Sequence, residues 1–523
     1  MLKGARLAIS YSPIAVVLVL VAAPVVALIS SWGSVDVALW THLWNTQLPA
    51  LIANTLLLML GVTIGVLLFG VSTAWLVSAC EFPGRKWLSW ALVLPMAMPA
   101  YVLAFVVLGM TDFGSPLQRF LAVQFPGFHI DLRHPVAVMV VLSLVFYPYV
   151  FLLARTAFRY QGITSIQAAR TLGKGPWKAF FSVVLPMARP AIAAGLALAL
   201  METLADFGAV SVFNYQTFTT AIYKSWSSFY SLSTATQLAS LLLLLVALLL
   251  VLERFNRSGR FAESSAQLQR FKLSGGAKWL ASLWCFIIFL CAFLLPVFQL
   301  VVWAWDEFSM LQDRRFIGFI SNTVKLGVMA MLVAVVLATL SQLANFYSRS
   351  KWLSYLQVFA SLGYALPGSV MAVGMMIVGA TVDGVLARHF LMGSALLLIL
   401  AYVARFYAVA NGPIETAMAK IKPSLLESAR VLGVSENQQF RRVVLPLLSP
   451  GVYVAALMVL VDVMKEMPAT LLLRPFGWDT LAIKIFELTS EGEWHQASVP
   501  ALMLVVISIL PVVYLLNKTT KNS

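Results

Sequence analysis

Long apolar runs are the feature that most constrains the fold of this chain. A helix of roughly 20 apolar residues crosses the 30 Å hydrocarbon core of a bilayer. Scanning for such runs predicts twelve membrane-spanning helices, at about 13–31, 51–79, 88–110, 134–154, 190–212, 236–252, 279–303, 322–345, 353–380, 391–410, 449–473 and 497–516. Hydrophobic residues make up 61% of the 523 residues and charged residues only 11%, whereas soluble domains carry about 25% charged residues. A soluble enzyme is therefore excluded.

The basic residues fix the expected orientation. With the N-terminus in the cytoplasm, 26 of the 36 Lys and Arg residues fall on the cytoplasmic side, in the termini and alternate loops. Positive charge on inner loops orients a membrane protein and meets anionic lipid. The net charge of +15 is explained in this way, so we expect the lipid bilayer, and no nucleic acid, as a partner.

The chain repeats itself at an offset of 260 residues. The stretch AARTLG at 168–173, followed by VVLP at 183–186, recurs as SARVLG at 428–433, followed by VVLP at 443–446. Each half contains six predicted spans, an even number, which makes the repeats parallel. The sequence predicts a first half at 1–252, a polar linker at 253–278 and a second half at 279–523.

Two repeated loops, at about 155–189 and 411–448, are too polar to span a membrane. Each is patterned as a short amphipathic helix, a glycine that stops it, and a second stretch that ends at Leu-Pro. Ala169 and Leu172 share a face with Ile166 in the first loop, as Ala429 and Leu432 do with Leu426 in the second. Small residues on these helices favour close contact with another surface, so the loops are predicted to be docking elements.

This pattern resembles the EAA loop of type I ABC importer permeases, which forms the coupling helix in a groove of the ATPase subunit. The positions that match the motif are Gln167, Ala168, Ala169, Gly173, Leu185 and Pro186 in the first copy, and Glu427, Ser428, Ala429, Gly433, Leu445 and Pro446 in the second. The first copy has Gln in place of Glu, and the second has Ser in place of the first Ala. One coupling contact therefore lacks a charge that its twin has.

The resemblance extends over the whole chain to the fused ferric-iron permease family of bacteria. The segments ETLADFGA at 202–209 and FTTAIY at 218–223 resemble that family more than they do the thiamine permeases, which are also fused. It implies an all-α polytopic membrane protein with about twelve transmembrane helices in two parallel repeats of six, the type I ABC importer permease fold. Ferric iron is the expected cargo, and phosphonate, thiamine and polyamine permeases are the alternatives within the same class.

No phosphate-binding Gly-x4-Gly-Lys-Ser/Thr motif occurs in the sequence. We therefore expect a transport subunit without enzymatic activity and without a bound cofactor, and ATP used by two copies of a separate ABC ATPase on the cytoplasmic side. The resemblance also implies a periplasmic substrate-binding protein as partner, and a location in the bacterial inner membrane with both termini in the cytoplasm.

Four carboxylates fall inside predicted spans. Glu202 and Asp206 lie four residues apart in the fifth span, and their repeat partners Asp462 and Glu466 lie in the eleventh. A charge at the bilayer centre costs roughly 2.5–3.5 kcal/mol on insertion scales, so these four should line the central path, where they offer hard oxygen ligands or a negative field to ferric iron. The alternative is structural: Lys465 pairs with Asp462, or the carboxylates bond to unwound backbone.

A secondary transporter driven by an ion gradient is the rival from another class, because twelve spans, parallel repeats and intramembrane carboxylates are also typical of such carriers. The paired repeated loops separate the two, because a gradient-driven carrier has no need of them.

Overall fold

A computed structural model describes residues 2–33, 37–126, 129–171, 175–228, 231–256, 270–348, 350–388, 390–421 and 423–521. Within these residues the protein is almost entirely helical. The α-helices up to residue 256 are α1 Leu2–Ser30, α2 Val37–Thr46, α3 Leu48–Ala79, α4 Arg85–Ala91, α5 Ala100–Met110, α6 Pro116–Gln124, α7 Pro135–Thr171, α8 Pro176–Ala179, α9 Leu185–Ala205, α10 Gly208–Val212, α11 Phe218–Ser227 and α12 Leu232–Asn256. Those that follow are α13 Gly276–Phe289, α14 Leu295–Asp306, α15 Arg314–Ser348, α16 Lys351–Ser361, α17 Gly368–Leu386, α18 Ala395–Met418, α19 Pro423–Val431, α20 Glu436–Gln439, α21 Leu445–Lys465, α22 Pro468–Leu473, α23 Leu481–Ser490 and α24 Trp494–Lys521.

Shorter elements link some of these helices. Four are 3₁₀ turns, at Ser31–Gly33, Leu94–Ala97, Phe308–Gln312 and Leu362–Ala365. Three are π-helical segments, at Phe180–Val184, Leu290–Leu294 and Phe440–Val444. Each π segment runs directly into a Leu-Pro pair, and its last hydrogen bond joins the Leu N–H to the carbonyl five residues back. Because proline has no N–H to donate, the helix widens at these points.

The described residues contain eleven helices that are long and apolar enough to cross a membrane, or twelve if one bent pair counts as a single span. Helix α3 shows how lipid replaces water around them. Leu60, Ile64 and Leu68 are exposed along one side, whereas Val62 and Val66 are buried on the other. Both faces of the helix are apolar because one packs on protein and the other meets acyl chains. The polytopic all-α fold predicted from the sequence is confirmed.

Four predicted spans are broken rather than continuous. The predicted span 88–110 bends by 93° between Ala97 and Ala100, and the span 353–380 breaks at the equivalent Leu366–Pro367, where the chain turns extended. The spans 190–212 and 449–473 both break at an extended carboxylate residue, Asp206 or Glu466. The repeat therefore reproduces each break in the other half.

The first helix of each half packs on the other half. Ile14 and Val17 of α1 belong to the same buried cluster as Leu326 of α15 and Tyr402 of α18. In return, Cys285 of α13 lies in the cluster built on the first half. Because each half contributes a helix to the core of the other, the two repeats are interlocked.

The predicted linker, 253–278, is shorter in the structure. Helix α12 continues to Asn256, residues 257–269 lie outside the described residues, and Phe271–Lys272 (β2) pairs in parallel with Cys80–Glu81 (β1). Glu81 accepts ion pairs from Arg85 at 3.1 Å and from Arg270 at 3.9 Å. Burial and then the charge of Arg85 lower the pKa of Arg270, and Glu81 opposes that shift. The end of the linker is thereby fixed to the first half.

Candidate translocation cavity and coupling surfaces

The broken helices surround a central cavity of about 730 Å³. All four carboxylates selected from the sequence line it: Glu202, Asp206, Asp462 and Glu466. None of them faces lipid, in keeping with the high cost of a charge in hydrocarbon. The structure thus brings the four residues together around one space.

The two carboxylates at the breaks are held by the half-helix that follows each of them. Asp206 Oδ1 accepts the N–H of Val210 at 3.1 Å, and Glu466 Oε1 accepts the N–H of Ala469 at 2.9 Å. Breaking the helix frees these N–H groups, and the side chain at the break satisfies them. For these two residues the structural alternative, bonding to unwound backbone, describes the contacts.

Arg405 is a site residue that the charge pattern of the sequence does not single out. It lies within α18, lines the cavity and pairs with Glu466 at 3.3 Å. The two side chains are 8% and 6% exposed, so this is a buried ion pair. Its position inside the apolar run 391–410 was the signal that could have identified it.

Gly368 makes room for this pair at the break before α17. A Cβ atom there would lie 2.3 Å from both Arg405 Nη1 and Glu466 Oε1. No real Cβ approaches heavy atoms so closely, so the ion pair sits against bare backbone. Any larger residue would displace one of the two charged groups.

Two polar contacts cross between the halves at the cavity. Tyr364 Oη donates to Glu202 Oε1 at 2.6 Å, and Lys465 Nζ donates to the carbonyl of Met96 at 3.2 Å. Met96 and Tyr364 occupy equivalent places, each three residues before the proline of a break. The Lys465 ammonium thus bonds to backbone, and the buried ion pair on the cavity wall joins Arg405 to Glu466.

The cavity wall is not a metal-binding cluster in this conformation. Across the described ranges, no group of three or more His, Cys, Asp and Glu side chains is placed to hold a metal ion.

Phe207 lines the cavity and belongs to a cluster of three aromatic residues, here called the aromatic plug. Phe207 packs against Tyr223 and Phe486, with ring centroids 5.0 and 5.5 Å apart, and the latter two rings meet edge to face at 6.3 Å. Tyr223 of α11 and Phe486 of α23 occupy equivalent places in the two halves, each six residues after a capping threonine, so each half contributes an equivalent ring to the plug.

The opposite end of the cavity opens toward the repeated loops. Its lining follows α7 from Val145 to Arg159, and Arg159 is exposed. Arg155 lies one turn earlier and donates from Nη1 to the carbonyl of Ser89 at 2.8 Å. The cavity therefore extends from Phe207 of the plug toward the end of α7 that leads to the predicted docking elements.

The second docking element stands out from the body of the protein. In α19, Glu427 and Ser428 are exposed, and the following Val431 and Leu432 are 87% and 80% exposed. Of the face formed by Leu426, Ala429 and Leu432, Ala429 is buried and Leu432 is exposed, and the side chain of Leu426 lies outside the described residues. The apolar pair of Val431 and Leu432 is not covered by any other part of the chain that the structure describes.

Gly433 ends the second docking helix as predicted. Its φ of +75° lies in the left-handed region, and the N–H of Val434 returns to the carbonyl of Ala429 at 3.0 Å. Glycine is the residue that adopts this turn without strain. Leu445 is 45% exposed, and Pro446 is also exposed at the start of α21.

The first docking element is organised differently. The sequence predicted a separate short helix after a span ending at 154, but α7 runs unbroken from Pro135 to Thr171. Position 163 is Ile where its repeat partner, 423, is Pro, and proline starts a new helix in the second copy alone. Leu185 is half-buried and Pro186 exposed. Gly173, and the side chains of Gln167, Ala168 and Ala169, lie outside the described residues.

Comparison with known families gives two matches in the chain. The model of the binding-protein-dependent transport system inner membrane component matches residues 81–257 and again residues 330–518. The chain belongs to this family. It is a fused ABC importer permease, with both halves in one polypeptide.

Three relatives show the range of transport systems to which the permease is similar. A Fe(3+)-transport system permease protein of Haemophilus influenzae is 28% identical over 487 residues, which cover 91% of each chain. A probable ABC transporter permease protein of Sinorhizobium fredii is 24% identical and covers 90% of the permease and 85% of the relative. The molybdenum transport system permease protein of Escherichia coli is 34% identical over 28% of the permease and 62% of its own length.

Proposed function

We propose that the permease forms the translocation path of an ATP-driven importer for ferric iron. The observation that carries the choice of cargo is the match along 91% of both chains to a permease named for Fe(3+) transport. Permeases named for molybdenum and sulfate are shorter chains, which match 28% and 40% of this chain over 62% and 74% of their own length. Four carboxylates on the cavity wall add support, because ferric iron prefers oxygen ligands.

The cavity and the docking elements fit an inward-facing state of such an importer. The basic loops and both termini lie in the cytoplasm of a bacterium in this proposal, so the open end of the cavity faces inward and the aromatic plug faces the periplasm. A periplasmic binding protein delivers the cargo at the plugged side. Two copies of an ABC ATPase occupy the two docking elements, and the permease itself binds no cofactor.

ATP binding then closes the ATPase pair and moves both docking elements. The motion passes through α7 on one side and through α19 and α21 on the other, and it separates Tyr223 from Phe486 while the inner end closes. The cross-half contacts at Glu202 and Lys465 would exchange partners during that step. A ligand shifts such an equilibrium only through its different affinity for the two states, here supplied by ATP.

The four carboxylates provide a negative field along the path in this proposal. Since they do not form a chelating cluster, they guide the cargo rather than hold it. This suits an importer, in which a site that binds too tightly would slow release.

The test is uptake of radiolabelled iron by the complete importer in proteoliposomes, with the loaded binding protein outside and ATP supplied to the ATPase. We expect iron uptake that a large excess of molybdate, sulfate or 2-aminoethylphosphonate leaves unchanged. Uptake of one of these anions in place of iron would refute the choice of cargo and leave the permease assignment intact. Uptake driven by a proton gradient without ATP would refute the mechanism.

A further inference from the structure

Four arginines, here called the arginine cluster, gather near the end of the cavity that leads to the docking elements. Arg155 and Arg159 lie one turn apart on α7. Arg85 is the first residue of α4, and Arg270 comes directly before β2. The charges of the other three all act on Arg155. Three separate segments of the chain therefore bring four guanidinium groups together.

The buried side of the arginine cluster is fixed by hydrogen bonds to backbone. Arg85 is buried and donates from Nη1 to the carbonyl of Val77 at 3.3 Å. Arg155 donates from Nη1 to the carbonyl of Ser89 at 2.8 Å. Ser89 lies one turn after Arg85 on α4, so this bond joins α7 to the helix that carries the other fixed arginine. The fold itself, and not a chance arrangement of mobile side chains, sets the positions of these two.

The arginine cluster has too few negative charges around it. Glu81 pairs with Arg85 at 3.1 Å and with Arg270 at 3.9 Å, whereas Arg155 and Arg159 form no ion pair with any residue of the described ranges. Burial and then the charge of Arg85 lower the pKa of Arg270; Glu81 opposes that shift, and the charge of Arg159 adds to it. The four cavity carboxylates are not among the charges that act on Arg155 or Arg270. Four positive charges thus face one carboxylate, and the cavity carboxylates do not repel an anion here.

The repeat does not require this concentration of charge. At the 260-residue offset Arg155 corresponds to Glu415, and Arg159 corresponds to Ala419. Helix α18 of the second half forms with a carboxylate and a methyl group at these places. The two arginines of α7 are therefore not needed to build a half of the protein.

The arginine cluster lies at the surface of the membrane. The apolar segment of α7 ends at Arg159. Trp87 and Trp90 follow Arg85 on α4, Trp279 begins the next membrane helix α13, and all three rings are exposed. Tryptophan is enriched where a membrane meets water. Lipid headgroups and dissolved anions can therefore both reach this place.

The chemistry of the arginine cluster selects a phosphate group. A guanidinium only donates hydrogen bonds, and its planar fork matches two oxygens of one phosphate. Such a group also supplies the negative charge that the cluster lacks. We propose that the arginine cluster binds a phosphate group, which an anionic lipid headgroup or dissolved phosphate supplies. The bound group holds α7 against α4 and β2, next to the first docking element.

The experiment measures two probes on the full chain. In the first arm the chain is placed in nanodiscs of phosphatidylcholine and phosphatidylglycerol, and native mass spectrometry measures the phosphatidylglycerol that stays bound. In the second arm radiolabelled inorganic phosphate is titrated onto the chain in nanodiscs of phosphatidylcholine alone. Arg159→Ala and Arg270→Gln remove exposed members of the cluster. Lys420→Ala is the matched control, because Lys420 is exposed and directly follows the repeat partner of Arg159.

We expect one or both probes to bind the unmodified chain, and each cluster variant to weaken that binding about tenfold, the effect of losing one charged donor to a phosphate. Both positions are exposed, so the two variants should fold like the unmodified chain. Lys420→Ala should bind normally. Binding of neither probe, binding that the cluster variants leave unchanged, or an equal loss in Lys420→Ala would overturn the proposal.

The two arms also identify the source of the phosphate group. Binding of phosphatidylglycerol alone, weakened by the cluster variants, identifies a lipid headgroup. Binding of inorganic phosphate alone, weakened by the same variants, identifies a dissolved anion, and binding of both shows that the cluster recognises the phosphate group from either source. No arm uses iron or ATP, so the outcome does not depend on the proposed function.

Discussion

Arg405→Ala is expected to destabilise the permease more than the loss of any exposed charge. The guanidinium is 8% exposed and the carboxylate of Glu466 is 6% exposed, with 3.3 Å between them. Removing one partner of such a buried pair costs about 3–5 kcal/mol, because the remaining charge stays buried without its counterion. The N–H of Ala469 still bonds Glu466, and the cavity admits water, so we expect a loss of about 3 kcal/mol.

A second variant tests whether the stranded charge of Glu466 causes this loss of stability. Adding Glu466→Gln removes the stranded charge and keeps an oxygen for the N–H of Ala469, so the double variant should regain about 2 kcal/mol of the loss. The free energy of unfolding is measured in mixed micelles by titration with denaturing detergent, followed by tryptophan fluorescence. Arg388→Ala is the control, since Arg388 is exposed. Equal stability of Arg405→Ala and the unmodified chain, or a further loss in the double variant, would refute the reasoning.

Three more predictions concern coupling, the plug and the break. Leu432→Asp should abolish stimulation of the ATPase while leaving unfolding unchanged within about 0.5 kcal/mol, because the side chain is 80% exposed; an unaffected ATPase rate would show that the surface is unused. Phe486→Ala should make proteoliposomes leaky to small ions through the opened plug, whereas Phe476→Ala, on a fully exposed outer phenylalanine, should keep them tight; equal leak in both would exclude the plug. Gly368→Ala should lower the free energy of unfolding by about 1–3 kcal/mol and slow iron uptake in proteoliposomes. Unchanged values in the unfolding and uptake measurements would show that the close approach at Gly368 is not needed.

Much of the architecture follows from hydropathy and repetition. The apolar runs locate the spans because the bilayer imposes their length. The 260-residue offset predicts that the local structure at Asp206 is repeated at Glu466. The carboxylates could be selected for the same reason: a charge in hydrocarbon is too costly to be accidental. The structure then places all four on the cavity wall.

The breaks and their partners could not be predicted in this way. A hydropathy window sums over about 20 residues, so it reads a span with one extended residue at Asp206 as continuous. Arg405 is not singled out by its charge, because a basic residue near the end of an apolar run is equally typical of the adjacent loop. The partner of Glu202 is Tyr364, 162 residues away, and no local pattern shows which tyrosine of the other half reaches it.

The two repeated loops also show where repetition misleads. Equivalent sequence motifs predicted equivalent helices, but the first copy has Ile163 where the second has Pro423. The first docking helix is therefore continuous with the membrane span before it, whereas the second is a separate helix. A single proline outweighs the shared pattern because it removes a backbone donor and restricts the residue before it.

The number of ATPase subunits that one chain binds distinguishes a permease driven by ATP from a carrier that works alone. Native mass spectrometry of the detergent-solubilised complex, co-expressed with its ATPase, measures that number. We expect two copies for each chain, lost when Leu432→Asp is combined with a matching change in the first loop. A chain that carries none, with its docking elements intact, would contradict the proposal that ATP drives this permease from two equivalent sites.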